Sequence, residues 1–188
     1  EILWERGETQ RLAGRPEEAV TEFEGALALD PAHADSLACR PVCRHALGQL
    51  AEALADFDRA LDIAENDLWT LVRRSHLCRD TGEWDEAFAD LDRAFALAPD
   101  VAWIASERGD AYRLAHRYEE AVAELGRAVE LKPDYASALA SRGAVHFELR
   151  RAEEAFADLD RAIALVPDYG WALGRRARTA LVVGRTER

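Results

Sequence analysis

The sequence predicts an all-α solenoid, a stack of antiparallel helix hairpins. Three observations lead there. Prolines fall at Pro31, Pro99, Pro133 and Pro167; the last three are 34 residues apart, and the first gap is twice that, skipping Glu65. Alanine columns keep the same period: Ala19, Ala53, Ala87, Ala121 and Ala155, then Ala26, Ala60, Ala94, Ala128 and Ala162. A bulky column, Phe23, Phe57, Leu91, Leu125 and Leu159, runs beside them without an insertion or deletion. Self-similarity at a fixed period of this length marks a repeat architecture.

The frame divides the chain into repeats at about 1–33, 34–67, 68–101, 102–135 and 136–169, followed by the first helix of a sixth over 170–188. Each repeat reads as two helices. In the fourth, Ile104, Ala105, Arg108, Gly109, Ala111 and Tyr112 follow helical spacing, as do Ala121, Leu125, Ala128, Val129 and Leu131. First helices are expected to stop at Gly14, Gly48, Gly82 and Gly184, since glycine accepts the left-handed conformation that ends helices. His116 and Arg150 occupy that slot with less ease. Second helices open on acids (Glu17-Glu18, Asp85-Glu86, Glu119-Glu120, Glu153-Glu154), which suit the positive end of the helix dipole. Proline then closes the repeat, lacking the N–H that a further turn needs.

The alanine columns let two helices approach closely, and the bulky column fills the space beside them. One hairpin cannot bury its apolar face, whereas stacked neighbours can. Gly109, Ala121, Leu125, Ala128 and Pro133, with their equivalents elsewhere, resemble a tetratricopeptide repeat (TPR). The resemblance spans essentially all 188 residues. It implies a right-handed α-α superhelix forming a single array, here expected to be a piece of a longer protein.

Composition narrows the function. A net charge of −12 argues against gripping nucleic-acid phosphates or docking on anionic membranes. No apolar run approaches the roughly 20 residues needed to span a bilayer. Three cysteines, Cys39, Cys43 and Cys78, form no disulfide framework, which suggests a reduced, cytoplasmic setting. One lysine, Lys132, stands against 23 arginines; with abundant alanine, that suggests a bacterial source. No cofactor or metal requirement is read from the residues.

Arginine recurs at Arg6, Arg40, Arg74, Arg108, Arg142 and Arg176. Sixteen residues after each of the first five comes an acid: Glu22, Asp56, Asp90, Glu124 and Asp158. Antiparallel packing within a repeat would bring these together as a salt-bridge ladder. The alternative pairs four of the same acids with arginines three residues on, Arg59, Arg93, Arg127 and Arg161, at about 0.2–0.5 kcal/mol each.

The stretch CRPVCRHALG, Cys39–Gly48, breaks the pattern. Pro41 takes the small-residue slot of Gly7, Ser75, Gly109, Gly143 and Ala177, mid-helix, where a kink or break is expected. Arg40 and Arg44 are assigned to repeat columns rather than to a basic patch. A metal reading would join Cys39 and Cys43 to His45 or His76, but closed sites need four ligands, and no second pair is recognisable. A degenerate first helix is the expectation.

The resemblance implies that first helices line a concave groove for a protein or peptide partner. By register the third repeat offers Trp69, Val72, Arg73, His76 and Arg79; the fourth offers Trp103, Ser106, Glu107, Asp110 and Arg113. The second repeat adds Asp35, Cys39, Val42 and His45, and the fifth adds Ser137, Ser141, Ala144 and Phe147. The partner-binding candidates are Trp69, Arg73, His76, Arg79, Trp103, Ser106, Asp110 and Arg113, because tryptophan and arginine anchor interfaces. Trp171 is equivalent to Trp69 and Trp103. Each tryptophan has a second reading, packing on the preceding turn. The family's lysine-asparagine carboxylate clamp is not matched: Trp4, Glu5, Glu8 and Cys39 stand in its place. No nucleophile elbow, phosphate loop or metal-ligand spacing suggests an enzyme. The expected role is therefore an interaction scaffold. The alternatives are a structural, self-assembling or regulatory segment of a larger protein, with self-association through an open C-terminal helix.

Overall fold

The computed structural model describes residues 2–186, and every regular element among them is an α-helix. The chain forms two compact units, Glu1–Leu97 and Ala98–Arg188. The first holds α1 (Ile2–Leu12), α2 (Pro16–Leu29), α3 (Ala34–Ala46), α4 (Leu50–Ile63), α5 (Leu68–Thr81) and α6 (Trp84–Leu97). The second holds α7 (Ala102–Leu114), α8 (Tyr118–Leu131), α9 (Ala136–Glu148), α10 (Ala152–Leu165) and α11 (Gly170–Thr186). Each unit is a stack of helix hairpins of the solenoid kind. No helix among the described residues is long and apolar enough to cross a membrane.

The turn inside each hairpin is the same five times. Gly14, Gly48 and Gly82 have φ of +72°, +75° and +85°; His116 and Arg150 adopt +59° and +62°. In each turn the next residue's N–H reaches back five positions to a first-helix carbonyl, as Arg15 to Gln10 (3.0 Å) and Arg151 to His146 (2.9 Å). These bonds impose the left-handed residue even where a side chain costs about 1–2 kcal/mol. Gly184 behaves otherwise: α11 runs through it to Thr186. Glycine permits this stop but does not force it.

Second helices end two residues before the proline. Asp30, Lys132 and Val166, each preceding one, are extended at φ near −135°, as the proline ring demands. Ala64 adopts a similar backbone, φ −125°, ahead of Glu65, so the repeat carries the bend without its proline.

Small residues sit where the hairpin closes. A β carbon on Gly7, Gly109 or Gly143 would lie 2.6–2.8 Å from Phe23, Leu125 or Leu159, the bulky column sixteen residues on. Pro41 holds the same slot, yet α3 is continuous from Ala34 to Ala46, so the expected break is absent. The neighbouring groups hold the helix: Leu37 is fully buried, Cys43 nearly so, and Arg40 is tied to Asp56. One ladder bond, to the Leu37 carbonyl, is lost instead.

Candidate partner-binding surface

Within each unit the first helices form one layer. Backbones of α1 and α3, α3 and α5, α7 and α9, and α9 and α11 come within 8 Å. Successive second helices within a unit do not approach that closely among the described residues. This layer of first helices carries the candidate side chains.

Arginine–carboxylate pairs staple the two layers. Arg6 reaches Glu22 (2.5 Å), Arg74 reaches Asp90 (2.6 Å), Arg108 reaches Glu124 (2.7 Å) and Arg142 reaches Asp158 (2.7 Å). Arg40 pairs with Asp56, which also accepts from Arg44 Nη1 at 2.9 Å. Arg44 is held further by Glu24 at 3.0 Å. It belongs to no arginine column, its slot elsewhere being Gln10, Cys78, Tyr112, His146 and Ala180, so that assignment is corrected. Arg176 turns back to Asp160 in the preceding repeat, as Arg74 also does to Asp58 (2.6 Å).

The second set of arginines does different work. Arg59, Arg127 and Arg161 donate to the backbone carbonyls of Pro31 (3.0 Å), Pro99 (3.1 Å) and Pro133 (2.5 Å), one repeat back. Arg93, facing the repeat that lacks its proline, takes the Glu65 carboxylate. These arginines tie each second helix to the preceding inter-repeat turn. Sequence reading missed this role, although the 28-residue offset to each proline was visible.

In the first unit Arg73 lies over the Trp69 ring, 5.2 Å from its centroid, with no carboxylate partner among the described residues. Its neighbours His76 and Arg79 are half-buried. A cleft of about 300 Å³ is lined by Trp4, Glu8, Arg11, Asp35, Cys39 and Trp69. Arg11 Nε donates to Glu8 (2.8 Å), and that bond pulls the Glu8 carboxyl below its ordinary range. Arg11 was also missed; it shares a register slot with Arg79 and Arg113, which would have found it.

Burial pushes the Cys39 thiol up to about 12 and the Cys43 and Cys78 thiols to about 11, so all three stay protonated near neutrality. A metal ligand or nucleophile would need the thiolate. Among the described residues no group of three or more His, Cys, Asp and Glu is placed to hold a metal ion.

In the second unit Asp110 accepts from Arg113 Nε (2.8 Å) and from the Ser141 hydroxyl (3.2 Å). Arg113 lies over the Trp171 ring at 5.9 Å, and Arg175 covers the same ring at 5.1 Å. Ser106 is buried and Trp103 half-buried. Thus Asp110 and Arg113 meet, whereas Trp69 and Arg73 form a separate pair in the other unit. Arg175 escaped the sequence reading, though Trp171 and Arg175 repeat the spacing of Trp69 and Arg73.

Known proteins share this architecture. A family model described as "Tetratricopeptide repeat" matches residues 2–67, and one described as "TPR repeat" matches residues 109–149. No curated protein sequence matches significantly. A thermophilic TPR protein from Thermus thermophilus is 22% identical over 96% of this chain and 98% of its own, with a TM-score of 0.79. PilF from Pseudomonas aeruginosa is 18% identical over 99% of this chain and 85% of its own, with a TM-score of 0.82. YrrB, described as a TPR protein with an unusual peptide-binding site, is 20% identical over 93% of this chain and 90% of its own, with a TM-score of 0.68. With the two family models together spanning more than half of its residues and the same hairpin recurring throughout, the chain belongs to the tetratricopeptide-repeat family.

Proposed function

We propose that the chain is a protein-interaction scaffold that binds a peptide or partner segment in the groove lined by its first helices. The side chains assigned to contact are Trp69, Arg73, His76, Arg79, Trp103, Ser106, Asp110 and Arg113. The observation that carries this reading is the Arg73–Trp69 stack, 5.2 Å from guanidinium to ring, on a first helix. In a chain that ties most of its arginines to carboxylates or carbonyls, this one keeps its donors available. A planar cation on an aromatic face supplies both an apolar platform and directional N–H groups, the combination found at interface anchors. Tetratricopeptide arrays are in general interaction scaffolds, and YrrB is described with a peptide site.

A peptide-display selection on the whole chain tests this, counter-screened with the triple variant Trp69→Ala/Trp103→Ala/Arg113→Ala. A consensus that the helical variant no longer retains supports the groove. No enrichment, or equal retention, rejects it. A second reading, self-association through α11, rests on Leu173 and Leu181, 42% and 64% exposed. Light scattering separates the two.

A further inference from the structure

Helix α11 is unlike the rest of the chain. In a protein of net charge −12 it carries four arginines and no acid between Gly170 and Thr186. Arg176 is spoken for by Asp160. Arg175 and Arg178 are not: among the described residues neither has a carboxylate or carbonyl partner. Each instead lies over an aromatic ring, Arg175 over Trp171 (5.1 Å) and Arg178 over Phe147 of α9 (5.1 Å). The Trp171–Arg175 pair repeats the Trp69–Arg73 pair in sequence spacing and in distance from guanidinium to ring. Phe147 also lines a mostly apolar cavity of about 280 Å³, with Val182 on its α11 wall.

We propose that this face of α9 and α11 docks an acidic peptide segment. Carboxylates of the segment pair with Arg175 and Arg178, and one apolar side chain between them enters the cavity beside Phe147 and Val182. The choice follows from charge complementarity. A guanidinium resting over a ring engages no carboxylate there, so its N–H groups can meet a partner's carboxylates, for which the planar arginine head suits bidentate geometry. The apolar cavity beside them asks for an uncharged side chain in the same segment. Nucleic acid is disfavoured, since a long polyanion would run beyond the two arginines and along the acidic body of the protein, whereas a short segment needs only their immediate surroundings. The proposal rests on the scaffold reading and narrows it by naming the partner's chemistry at this end.

The probe is a fluorescein-labelled peptide, Asp-Glu-Asp-Leu-Phe-Glu-Asp-Glu, with two controls: all acids replaced by Lys or Arg, and Leu-Phe replaced by Gly-Ser. Anisotropy with the whole chain is read at about 0.15 M and about 1 M salt. The acidic peptide should bind, the basic one should not, and the Gly-Ser peptide should bind more weakly. Arg175→Gln/Arg178→Gln should weaken binding about tenfold or more, with helicity unchanged, and high salt should do the same. Val182→Asp should abolish the preference for Leu-Phe. Equal affinity for acidic and basic peptides, no binding of the acidic peptide, or indifference to the double variant overturns the proposal. So does tighter binding of single-stranded DNA or phosphatidylserine vesicles than of the peptide. If a display-selected ligand depends on Trp69 and Arg73 but ignores Arg175→Gln/Arg178→Gln, the scaffold reading stands and this inference fails. If the acidic probe binds through α11 while display yields nothing dependent on Trp69, this inference stands and the assignment of Trp69 and Arg73 as the contact site fails.

Discussion

Asp56 shows how unequal chemically similar pairs are. Its carboxylate is almost fully buried and accepts from Arg40 and from Arg44, both poorly exposed. Arg6, in the pair with Glu22, is 62% exposed. Removing one partner of a buried pair strands the other charge, at about 3–5 kcal/mol, whereas exposed pairs contribute about 0–1 kcal/mol. Asp56→Ala should therefore lower unfolding free energy by several kcal/mol, about 3–5, and Glu22→Ala by less than about 1. Urea titration checks both; similar costs would refute the dependence on burial. His146 titrates in the opposite sense to most histidines near acids. Burial pulls its pKa down and outweighs the Asp158 carboxylate 3.8 Å away. The fold thus prefers the neutral ring. Its contribution to stability is complete above the unfolded pKa of about 6.5 and is lost as pH falls below it. His146→Gln, which copies Gln10 in the same slot, should flatten the fall in melting temperature between about pH 7 and pH 5. An unchanged slope would show that the ring carries no such penalty. Of these residues the sequence revealed types and spacing. Depth was hidden, because it depends on which neighbours cover each pair.

At the scale of elements, the helices differ in how their ends are held. Asp67 caps α5 by accepting the Thr70 N–H (2.8 Å), and His33 Nδ1 caps α3 by accepting the Ser36 N–H (3.2 Å). The second helices α4, α8 and α10 have no side-chain cap; α8 and α10 open on paired acids. Their starts depend on the preceding left-handed turn, which is why that turn persists at His116 and Arg150. Helix α3 is the strained element. Pro41→Ser, with Ser75 as precedent, restores one N–H donor in the helix interior and should stabilise the protein by about 1–3 kcal/mol. A lowered melting temperature would mean that the ring's packing outweighs the missing bond. Gly126, inside α8, has room for a side chain: a β carbon added there would meet only Arg142 Nη1 within 4 Å, at 3.8 Å. Gly126→Ala should add about 0.5–1 kcal/mol by restricting the unfolded chain. The helices themselves were legible from period and punctuation. The continuity of α3 and the run of α11 through Gly184 were not, because propensity is local and packing overrides it.

The whole molecule distributes its core along the stack. In the second unit one cluster of buried residues runs from Ala105 through Leu125, Leu139 and Leu159 to Ala172, so every helix there shares it. Truncating Leu159→Ala should cost about 2–5 kcal/mol, and the loss of hydrogen-exchange protection should extend across α9, α10 and α11. Protection lost in α10 alone would contradict a shared core. The sequence by itself determined the period, the helices, the hairpin turns and the family, because each is set by short-range sterics repeated at a constant spacing. It also placed each arginine opposite its acid, since sixteen residues across a tight hairpin is a short distance. Only the tertiary structure decided which ion pairs are sealed from water and that the second arginine column anchors to proline carbonyls. It alone showed that Arg73, Arg175 and Arg178 rest on aromatic rings with no carboxylate partner among the described residues. Those outcomes depend on contacts between repeats, where the local pattern is the same in every copy and the surroundings are not.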